Sequence, residues 1–550
     1  GITFLMADKI AFNLKLKAND ERRIIAGVQT FLDYESENKG DLFTYKHDLM
    51  DNLGDYIERI GAFPKGSSKD INGKIILDVL KTMKDKGLIV IETSLSDKSV
   101  ECIYKSYNNF VEKGIVRRLK ELLDEFKKPL CSEKEINDFI DYYESEYSFK
   151  FAKKQKEAIF MAIKNGVSII TGGPGTGKTQ TINSIIKCIQ WVNPHASIDL
   201  CAPTGKASKR MSELTGMEAF TIHRRIGYVP FNNDIELIPI ESDFVIIDES
   251  SMIDADLFYK LITNISESTK ILFVGDHEQL PSVGAGLILR DLIQSDKIPV
   301  TTLDEIFRQA QNSQIVVNSH TIIKGKTTKD GLKIDNTKDD FFFIEGKKMS
   351  EVVDKIMRSI DRLIVSKKAK LQDIQILTPT NLGDLGTFAL NKAIQAKYNP
   401  PSETKQEYEA SGFRVFRVGD RVMQIANNYD INVFNGTTGY ISSINYTSSG
   451  YQIIVDFDGD EVEYDEESME NLRLAYAITI HKSQGSEFPI VIMPVHEEHS
   501  FMNNRNLIYT GITRAKKMVI LIGTYEALDN SILKIDNTKR NSQIIERLSL

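Results

Sequence analysis

From residue 151 onward, short apolar segments alternate with helical segments in two separate sets. The first set consists of four runs of about four to six apolar, often β-branched residues, at 167–171, 197–202, 244–248 and 270–275. The second set consists of similar runs at 374–379, 476–480, 490–494 and 518–523. Such runs are typical of central strands in parallel sheets that helices cover on both faces. We therefore predict an α/β fold with two parallel-sheet cores in tandem, over 151–300 and 301–550.

Residues 1–150 form a third, mainly helical region in this prediction, rich in Lys, Glu, Asp and Tyr. An amphipathic helix over 71–86 precedes two short strands, 88–92 and 100–104, and another helix over 108–126 follows. Helix, hairpin and helix outline a winged-helix module. Binding of a duplex or partner and a packing role are equally open for it.

Alternating apolar and polar positions predict a small antiparallel β insertion within the second core, at about 414–472. The dipeptides Asn435-Gly436, Ser449-Gly450 and Asp458-Gly459 mark its turns. The chain of 550 residues is longer than one core sustains, which agrees with several domains.

Composition removes several classes of protein. Hydrophobic residues make up 41% and charged residues 27%, as in ordinary globular chains, and no apolar run approaches the ~20 residues that span a bilayer. The four cysteines form no CxxC pair, which argues against disulfides and a zinc site. The net charge of −8 argues against a protein that coats nucleic acid by bulk charge, but not against a locally basic groove. The first residues show no signal peptide, so we expect a cytoplasmic protein.

The sequence from Gly172 to Thr179 matches the phosphate-loop pattern G-x-x-x-x-G-K-T between a predicted strand and a predicted helix. Backbone N–H groups of such a loop contact phosphate oxygens, and the helix N-terminus favours their charge. Lys178 is predicted to bridge the β- and γ-phosphates, and the Thr179 hydroxyl to bind Mg²⁺. The other predicted ATP contacts of this segment are Gly173, Pro174, Gly175, Thr176, Gly177 and Gln180.

Two acids and one amide complete the nucleotide site that the residues themselves suggest. Asp248 and Glu249 end an apolar strand, where the first can hold Mg²⁺ and the second can orient or deprotonate the attacking water. Alone, the pair is better explained as a helix N-cap, but with the phosphate loop the metal interpretation is favoured. Gln155 can pair with an adenine edge, and a surface glutamine on a helix is the alternative.

A set of motifs in fixed order makes the chain resemble the superfamily-one DNA helicases, in particular the RecD-like branch that translocates 5′→3′. Four of these motifs are Gly275-Asp-His-Glu-Gln279-Leu-Pro-Ser-Val-Gly, Ile306-Phe-Arg308-Gln309, Thr479-Ile-His-Lys482-Ser-Gln-Gly485-Ser-Glu487 and Tyr509-Thr-Gly-Ile-Thr-Arg514. The resemblance covers about 151–550, where it makes the two cores RecA-like and the β insertion an SH3-like domain. It also implies a protein of the bacterial cytosol or nucleoid. It also extends into residues 1–10, which resemble the second half of a helix–hairpin–helix and imply a first half upstream.

The resemblance implies a role for each of these residues in an ATP site between the two cores. Arg308 and Arg514 would face the γ-phosphate from the second core and stabilise the transition state. Gln279 would lie near the γ-phosphate, Glu487 would contact the ribose, and Gly485 would belong to the same nucleotide-binding motif.

The resemblance also implies a path for single-stranded DNA across both cores, with hydroxyl, amide and basic side chains that contact phosphates without reading bases. Its residues are Pro203, Thr204, Lys206, His223, Arg224, Thr380, Asn381, Thr479, His481, Lys482 and Ser483. Taken singly, each Thr or Ser is as well explained by a cap or turn. A β-hairpin at 226–240 would be the pin at the duplex fork, where Tyr228 and Phe231 stack on a base or instead pack on the domain surface.

These observations predict an ATP- and Mg²⁺-dependent 5′→3′ DNA helicase that starts from a 5′ overhang. The alternative is a single-strand translocase that strips bound proteins with little unwinding. A non-catalytic scaffold conflicts with the complete set of catalytic residues, and a P-loop kinase with the second core. We expect a monomeric motor on single strands and junctions, with single-strand-binding or repair proteins as possible partners and no membrane association.

Overall fold

The computed structural model describes residues 2–124, 129–229, 236–307, 311–410, 414–428, 431, 433–448, 450–535 and 539–550. Its secondary structure divides into a helical N-terminal region, two parallel sheets and an antiparallel insertion. Within these ranges, every helix is too short or too polar to cross a bilayer.

The N-terminal region consists of six helices and one small sheet. The helices are α1 (Phe4–Asn13), α2 (Glu21–Tyr34), α3 (Lys46–Ile60), α4 (Gly73–Asp85), α5 (Ser106–Asp124) and α6 (Glu133–Glu146). The strands β1 (Phe43–Tyr45), β2 (Ile89–Thr93) and β3 (Glu101–Lys105) form an antiparallel sheet in the order β1-β3-β2. The helix α4, the hairpin β2-β3 and the helix α5 follow one another, which is the helix, hairpin and helix order that the sequence pattern predicts. The winged-helix interpretation of this order stays a prediction.

The first parallel sheet has six strands in the order β6-β5-β7-β8-β4-β9. They are β4 (Val167–Gly172), β5 (Ile198–Ala202), β6 (Phe220–Thr221), β7 (Phe244–Ile247), β8 (Lys270–Gly275) and β9 (Val300–Leu303). The helices are α7 (Lys153–Lys164), α8 (Lys178–Val192), α9 (Gly205–Thr215), α10 (Ile222–Arg225), α11 (Ala255–Thr263) and α12 (Ile288–Gln294). The four central strands are apolar on both faces because helices cover both, as the sequence pattern predicts.

The predicted end of the first core at residue 300 needs correction. β9 pairs in parallel with β4, with Ile169 opposite Val300 and Gly172 opposite Leu303. The first sheet therefore extends to Leu303. The sequence pattern did not show this strand because two threonines interrupt its apolar character.

The second half of the chain contains a five-stranded parallel sheet and the antiparallel insertion. Its helices are α13 (Gln314–Ile323), α14 (Met349–Val365), α15 (Thr387–Tyr398), α16 (Arg505–Ile512), α17 (Tyr525–Leu533) and α18 (Ile544–Ser549). Its strands are β10 (Phe341–Glu345), β11 (Ile374–Thr378), β12 (Glu407–Ala410), β13 (Arg414–Arg417), β14 (Arg421–Gln424), β15 (Thr438–Thr447), β16 (Gly450–Phe457), β17 (Asp460–Tyr464), β18 (Leu472–Leu474), β19 (Ala477–Thr479), β20 (Phe488–Val495) and β21 (Ala515–Gly523).

Two sheets account for most of these strands. The parallel sheet has the order β10-β21-β20-β11-β19, so a RecA-like core is present a second time. The insertion is an antiparallel sheet in the order β17-β16-β15-β14-β18, accompanied by the ribbon β12-β13. Residues at alternate positions, including Ile441, Ile453 and Val455, fill its interior, which explains the period-two pattern.

The last segment of the chain leaves the second core. Ile544 and Leu548 on α18 are buried in one cluster with Ile115 and Leu119 of α5 and with core residues of the first sheet. Residues 539–550 therefore pack with the first half of the molecule, and the predicted range 301–550 for the second core is too long at its C-terminal end.

Candidate nucleotide site and DNA surface

The phosphate loop occupies the turn between β4 and α8, as the pattern predicts. Gly175 and Gly177 adopt φ angles of 73° and 81°, a left-handed conformation that favours glycine. A Cβ on Gly177 would also lie 2.5 Å from the Phe307 ring and 2.8 Å from Gln155 Nε2. The crowding and the backbone conformation together require glycine, and the turn directs the first N–H groups of α8 into the loop.

Lys178 and Asp248 lie close to each other at the phosphate loop. The Lys178 ammonium donates to the carbonyl oxygens of Gly172 and Gly173, with 3.1 Å to the latter. Burial, together with the neighbouring Glu249 carboxylate, raises the pKa of Asp248 to about 6, while Lys178 acts in the opposite direction. The Asp248 carboxylate lies close enough to Lys178 at the start of α8 to interact with it electrostatically. Together with the Thr179 hydroxyl, next to Lys178 in the chain, it offers the oxygen ligands that Mg²⁺ prefers, so the residues fit the metal.

The two predicted glutamines of the first core have defined local contacts. Gln155 is 1% exposed, which excludes the surface alternative. Its Oε1 accepts from Ala152 N at 3.1 Å, and its Nε2 donates to Thr181 Oγ1 at 3.4 Å. Gln180 Nε2 donates to the Tyr143 hydroxyl at 3.1 Å, so its amide binds α6. The adenine contact of Gln155 stays a prediction.

The segment after β8 joins the phosphate loop to the second core. Asp276 Oδ2 accepts from Gln279 Nε2 at 3.3 Å and from the Tyr509 hydroxyl on α16 at 2.7 Å. Leu280 N donates to Thr510 Oγ1 at 2.9 Å, and Gln484 Nε2 donates to Leu280 O at 2.8 Å. Gln279 therefore lies at the interface between the two cores, where buried hydrogen bonds connect them.

The second core also touches the phosphate loop directly. His320 Nε2 on α13 donates to Pro174 O at 3.1 Å. A Cβ on Gly173 would lie 2.9 Å from both the His320 ring and the Tyr509 hydroxyl. The loop is thus enclosed from two sides, by its own core and by α13 and α16 of the other.

Arg514 is a buried cation held only by neutral groups. It follows α16 and is 3% exposed. Its guanidinium donates to Thr510 O, Ser486 O and Thr513 Oγ1 at 3.3 to 3.4 Å, and no carboxylate of the described residues forms an ion pair with it. Burying a charge without an opposite charge is costly, so an anion at this place would be strongly stabilised.

The remaining predicted nucleotide contacts divide into three cases. Glu487 forms ion pairs with Arg210 of α9 at 2.7 Å and with Lys516 at 3.3 Å, so it bridges the two cores. Gly485 lies against Thr204, whose Oγ1 would be 2.8 Å from a Cβ there. Arg308 lies outside the described residues, although the preceding Phe307 N donates to Gly175 O at 3.3 Å.

Four of the predicted DNA contacts surround one surface depression of about 450 Å³. Thr380, Asn381, Thr479 and His481 line it, together with Pro379, Leu382 and Met502. Thr380 Oγ1 donates to Leu382 O at 2.8 Å, and Asn381 Oδ1 accepts from Thr387 Oγ1 at 2.8 Å. Tertiary structure gathers these residues at one place, while part of their polar capacity is used to shape the turn.

The basic side chains of the DNA prediction lie near the insertion. Lys206 Nζ donates to Thr438 Oγ1 at 3.2 Å, and burial lowers the pKa of Lys206 to about 8. Lys482 Nζ donates to Asn435 Oδ1 at 2.8 Å, and burial lowers its pKa as well. Both ammonium groups are therefore partly desolvated, and a phosphate would restore favourable charge interactions to them.

The hydroxyls of this surface have mainly local partners. Thr204 is the N-cap of α9, where its Oγ1 accepts from Ala207 N at 3.3 Å, and Pro203 directly precedes it. Ser483 is fully buried and donates to Ile480 O at 2.7 Å, so it stabilises a turn and offers no surface to DNA in this structure.

The base of the predicted pin is partly described. The ring of Tyr228 stacks on His223 at a centroid distance of 5.4 Å, and the hydroxyl accepts from Lys260 Nζ at 3.0 Å. Arg224 lies over the Phe220 ring at 5.4 Å. These contacts place Tyr228 on the domain surface, which is the alternative to base stacking, while Phe231 lies outside the described residues.

Comparison with known proteins places this site in a family. Residues 155–285 match the model of an AAA domain, and residues 474–522 match the UvrD-like helicase C-terminal domain. Residues 390–457 match the ATP-dependent RecD-like DNA helicase SH3 domain. The chain belongs to the RecD-like helicases. The resemblance inferred from the order of the motifs is thereby confirmed, and so is the SH3-like identity of the β insertion. The first core is a nucleotide-binding domain.

Individual relatives agree with the family. The ATP-dependent RecD2 DNA helicase of Deinococcus radiodurans is 35% identical over 382 residues, which are 69% of this chain and 50% of that protein. The RecBCD enzyme subunit RecD of Buchnera aphidicola is 28% identical over 479 residues, 75% of this chain and 78% of that one. This RecD-like chain thus spans half the length of the first relative. The crystal structure of the Pif1 helicase from Candida albicans covers 71% of the chain at 20% identity, with a TM-score of 0.43.

Several residues of the site in this RecD-like helicase escaped the sequence analysis. Asp276 and Tyr509 stand inside quoted motifs but received no role, although their buried bond joins the two cores. His320 and Arg210 belong to no motif, and only the packing of α13 and α9 reveals their contacts. A histidine or an arginine on a helix gives no sequence signal for such a position.

Proposed function

We propose that this chain is an ATP-dependent DNA helicase that translocates 5′→3′ on single-stranded DNA and unwinds duplex from a 5′ overhang. The observation that supports this most is Arg514. A buried guanidinium with neutral partners, directly after the helix whose Tyr509 lies against the phosphate loop, is suited to an anion held between the cores. The direction of movement rests on the family resemblance.

Each side chain has a defined task in this mechanism. Lys178 and the N–H groups at the start of α8 bind the phosphates, and Glu249 orients the attacking water. Thr179 and Asp248 would hold Mg²⁺, which neutralises phosphate charge when it is bound. Arg514 and Arg308 stabilise the charge that develops on the γ-phosphoryl group.

The interface between the two cores explains how hydrolysis would move the DNA surface. Gln279, Asp276 and Tyr509 form a chain of hydrogen bonds from the phosphate side to α16. The loss of the γ-phosphate removes the anion that holds Arg514 and Lys178 together, so the cores can separate. Lys206 on one core and the Thr380–His481 depression on the other would then change their spacing along the strand.

Strand displacement tests this function. Duplexes with a 5′ or a 3′ single-stranded tail are offered to the purified chain with ATP and Mg²⁺, and displacement of the labelled strand is measured. We expect displacement only from the 5′-tailed substrate. Displacement from 3′ tails alone would contradict the proposed polarity.

Deleting residues 228–239 separates the helicase from the translocase alternative. Ile238 N donates to Ile226 O at 2.8 Å, so the two arms lie side by side and a Gly-Gly link can join the ends. We expect unwinding to fall below detection, while DNA-stimulated ATP hydrolysis remains within about twofold because the deletion spares both cores. Unwinding that survives the deletion would show that this segment is not the pin.

Lys206 makes DNA binding depend on pH. Its pKa of about 8 lies below the usual value because burial disfavours the ammonium. The residue is charged at pH 7 and mostly neutral at pH 9, so the affinity for an oligothymidylate is expected to fall about fivefold to tenfold over this range. Lys206→Arg keeps its charge throughout and is the matched control. An equal pH dependence of the two proteins in fluorescence anisotropy would exclude Lys206 from the DNA surface.

A further inference from the structure

Arg540 binds the loop that follows Gln279. Its Nη1 donates to Ser282 Oγ at 3.1 Å, to Gly284 O at 2.6 Å and to Gly286 O at 2.8 Å. Its Nη2 donates to Ser282 O at 2.7 Å. One guanidinium group thus joins three alternate residues of a five-residue loop, although it lies more than 250 residues away in the chain.

This loop has a flexible backbone and few hydrogen bonds of its own. It contains Gly284 and Gly286, the latter with a φ angle of 97°, and within it Ser282 Oγ donates to Gly284 O and Gly286 O at 3.0 and 3.2 Å. Two bonds from outside the loop add to those of Arg540, from Ala255 N to Ala285 O and from Gly286 N to Gly40 O, at 2.8 and 2.9 Å. Its first residue, Ser282, lies three positions after Gln279 and two after Leu280, which bonds to the second core.

The segment that carries Arg540 is anchored in the N-terminal region. Asn541 N donates to Asp41 Oδ1 at 2.6 Å, and Leu42 N donates to Asn541 O at 2.9 Å. A Cβ on Gly40 would lie 2.2 Å from Arg540 Nε, so the N-terminal backbone closes over the guanidinium.

Buried polar contacts continue this anchorage into α18. Glu112 of α5 is fully buried and accepts from Gln543 N at 3.0 Å and from Arg547 Nε at 2.8 Å. Ile544 and Leu548 lie in the same hydrophobic cluster as α5. Residues 539–550, the C-terminal strap, therefore form one body with the N-terminal region and the first core.

We propose that Arg540 is a positioning residue for ATP hydrolysis. By fixing the backbone of Ser282–Gly286, Arg540 holds Gln279 in its position relative to the phosphate loop. Because Arg540 belongs to the C-terminal strap, this position also depends on the N-terminal region. The inference rests on the proposed function for the role of Gln279. Arginine suits the task because its planar fork satisfies several carbonyls at once, whereas a lysine ammonium is a flexible point charge.

The test compares Arg540→Ala and Arg540→Lys with the neighbouring control Lys539→Ala in the full chain. With saturating oligothymidylate, kcat for ATP is expected to fall about tenfold in Arg540→Ala and about fivefold in Arg540→Lys, because Gln279 spends less time in register. KM for ATP should stay within about twofold, since Lys178 and the phosphate loop are untouched. Lys539→Ala should match the wild type.

A second measurement keeps the outcome separate from the proposed function and from simple instability. Hydrogen exchange of the peptide covering 276–286 should become faster in Arg540→Ala, with unchanged exchange in α8. This readout does not need catalysis, so an inactive wild type would refute the helicase proposal alone. Unchanged exchange in 276–286, or a loss of activity that appears only in KM, would overturn the role of Arg540. Arg540→Lys serves as the test variant if the alanine variant does not fold.

Discussion

Lys178→Ala is expected to reduce ATP hydrolysis about 1,000-fold, to the background of the assay, because charge stabilisation by a group that contacts the transferred phosphate is lost. The ammonium lies at the carbonyls of Gly172 and Gly173, at the centre of the loop that binds phosphate. Single-strand binding should stay within about threefold of wild type, because the DNA surface lies elsewhere. Steady-state phosphate release and anisotropy of a labelled oligonucleotide measure the two effects.

Lys187→Ala is the matched control for this variant. Lys187 is on the same helix but exposed, where its ammonium lies 5.4 Å and 5.1 Å from the rings of Tyr143 and Tyr147. Its loss should leave hydrolysis unchanged. If Lys178→Ala retained more than about a tenth of the wild-type rate, the loop would not be the catalytic nucleotide site.

Arg514→Ala is expected to slow turnover at least about 100-fold while ATP still binds, because a charge aimed at the transition state is removed and the phosphate loop is kept. The buried guanidinium has only neutral partners, so its removal leaves no carboxylate unpaired. The Arg514→Ala variant is therefore expected to fold. Single-turnover hydrolysis gives the rate, and the affinity for a fluorescent ATP analogue gives the binding.

Two further variants sharpen this prediction. Lys517→Ala changes an exposed cation on the adjoining strand β21 and should hydrolyse ATP normally. Arg514→Lys keeps the charge but not the fork, and should recover only part of the rate. Normal turnover in Arg514→Ala would remove this residue from the site and with it the strongest support for a two-core mechanism.

The main elements of the fold followed from local patterns. Seven of the eight apolar runs became central strands because a parallel sheet covered on both faces needs apolar residues at every position, and the eighth, β19, became an edge strand. The other edge strands were harder to predict. β9 contains Val-Thr-Thr-Leu, and β10, with three phenylalanines, sits at the sheet edge, so neither could be assigned without knowing its neighbour.

The candidate site residues also divide into those that the sequence could place and those that it could not. Lys178 and Asp248 could be placed because each has a fixed offset from a strand end, and strand ends of one sheet meet at one edge. Gln279 was placed by the family resemblance. Thr380 and Asn381 look like any turn residues, and the structure shows both the local bonds of a turn and a shared depression with Thr479 and His481. Ser483 matched the motif but lies buried, since sequence does not report exposure.

The phosphate loop, the other motifs with their order along the chain, and the two sets of core strands were determined by the sequence alone, because each motif and each strand is a local pattern of fewer than twenty residues. Only the tertiary structure showed that Tyr509 bonds Asp276, that Arg210 meets Glu487, and that Arg540 binds the loop after Gln279. These contacts join residues separated by more than 200 positions. Their geometry is set by how helices and sheets pack over the whole chain, and no local pattern encodes that packing.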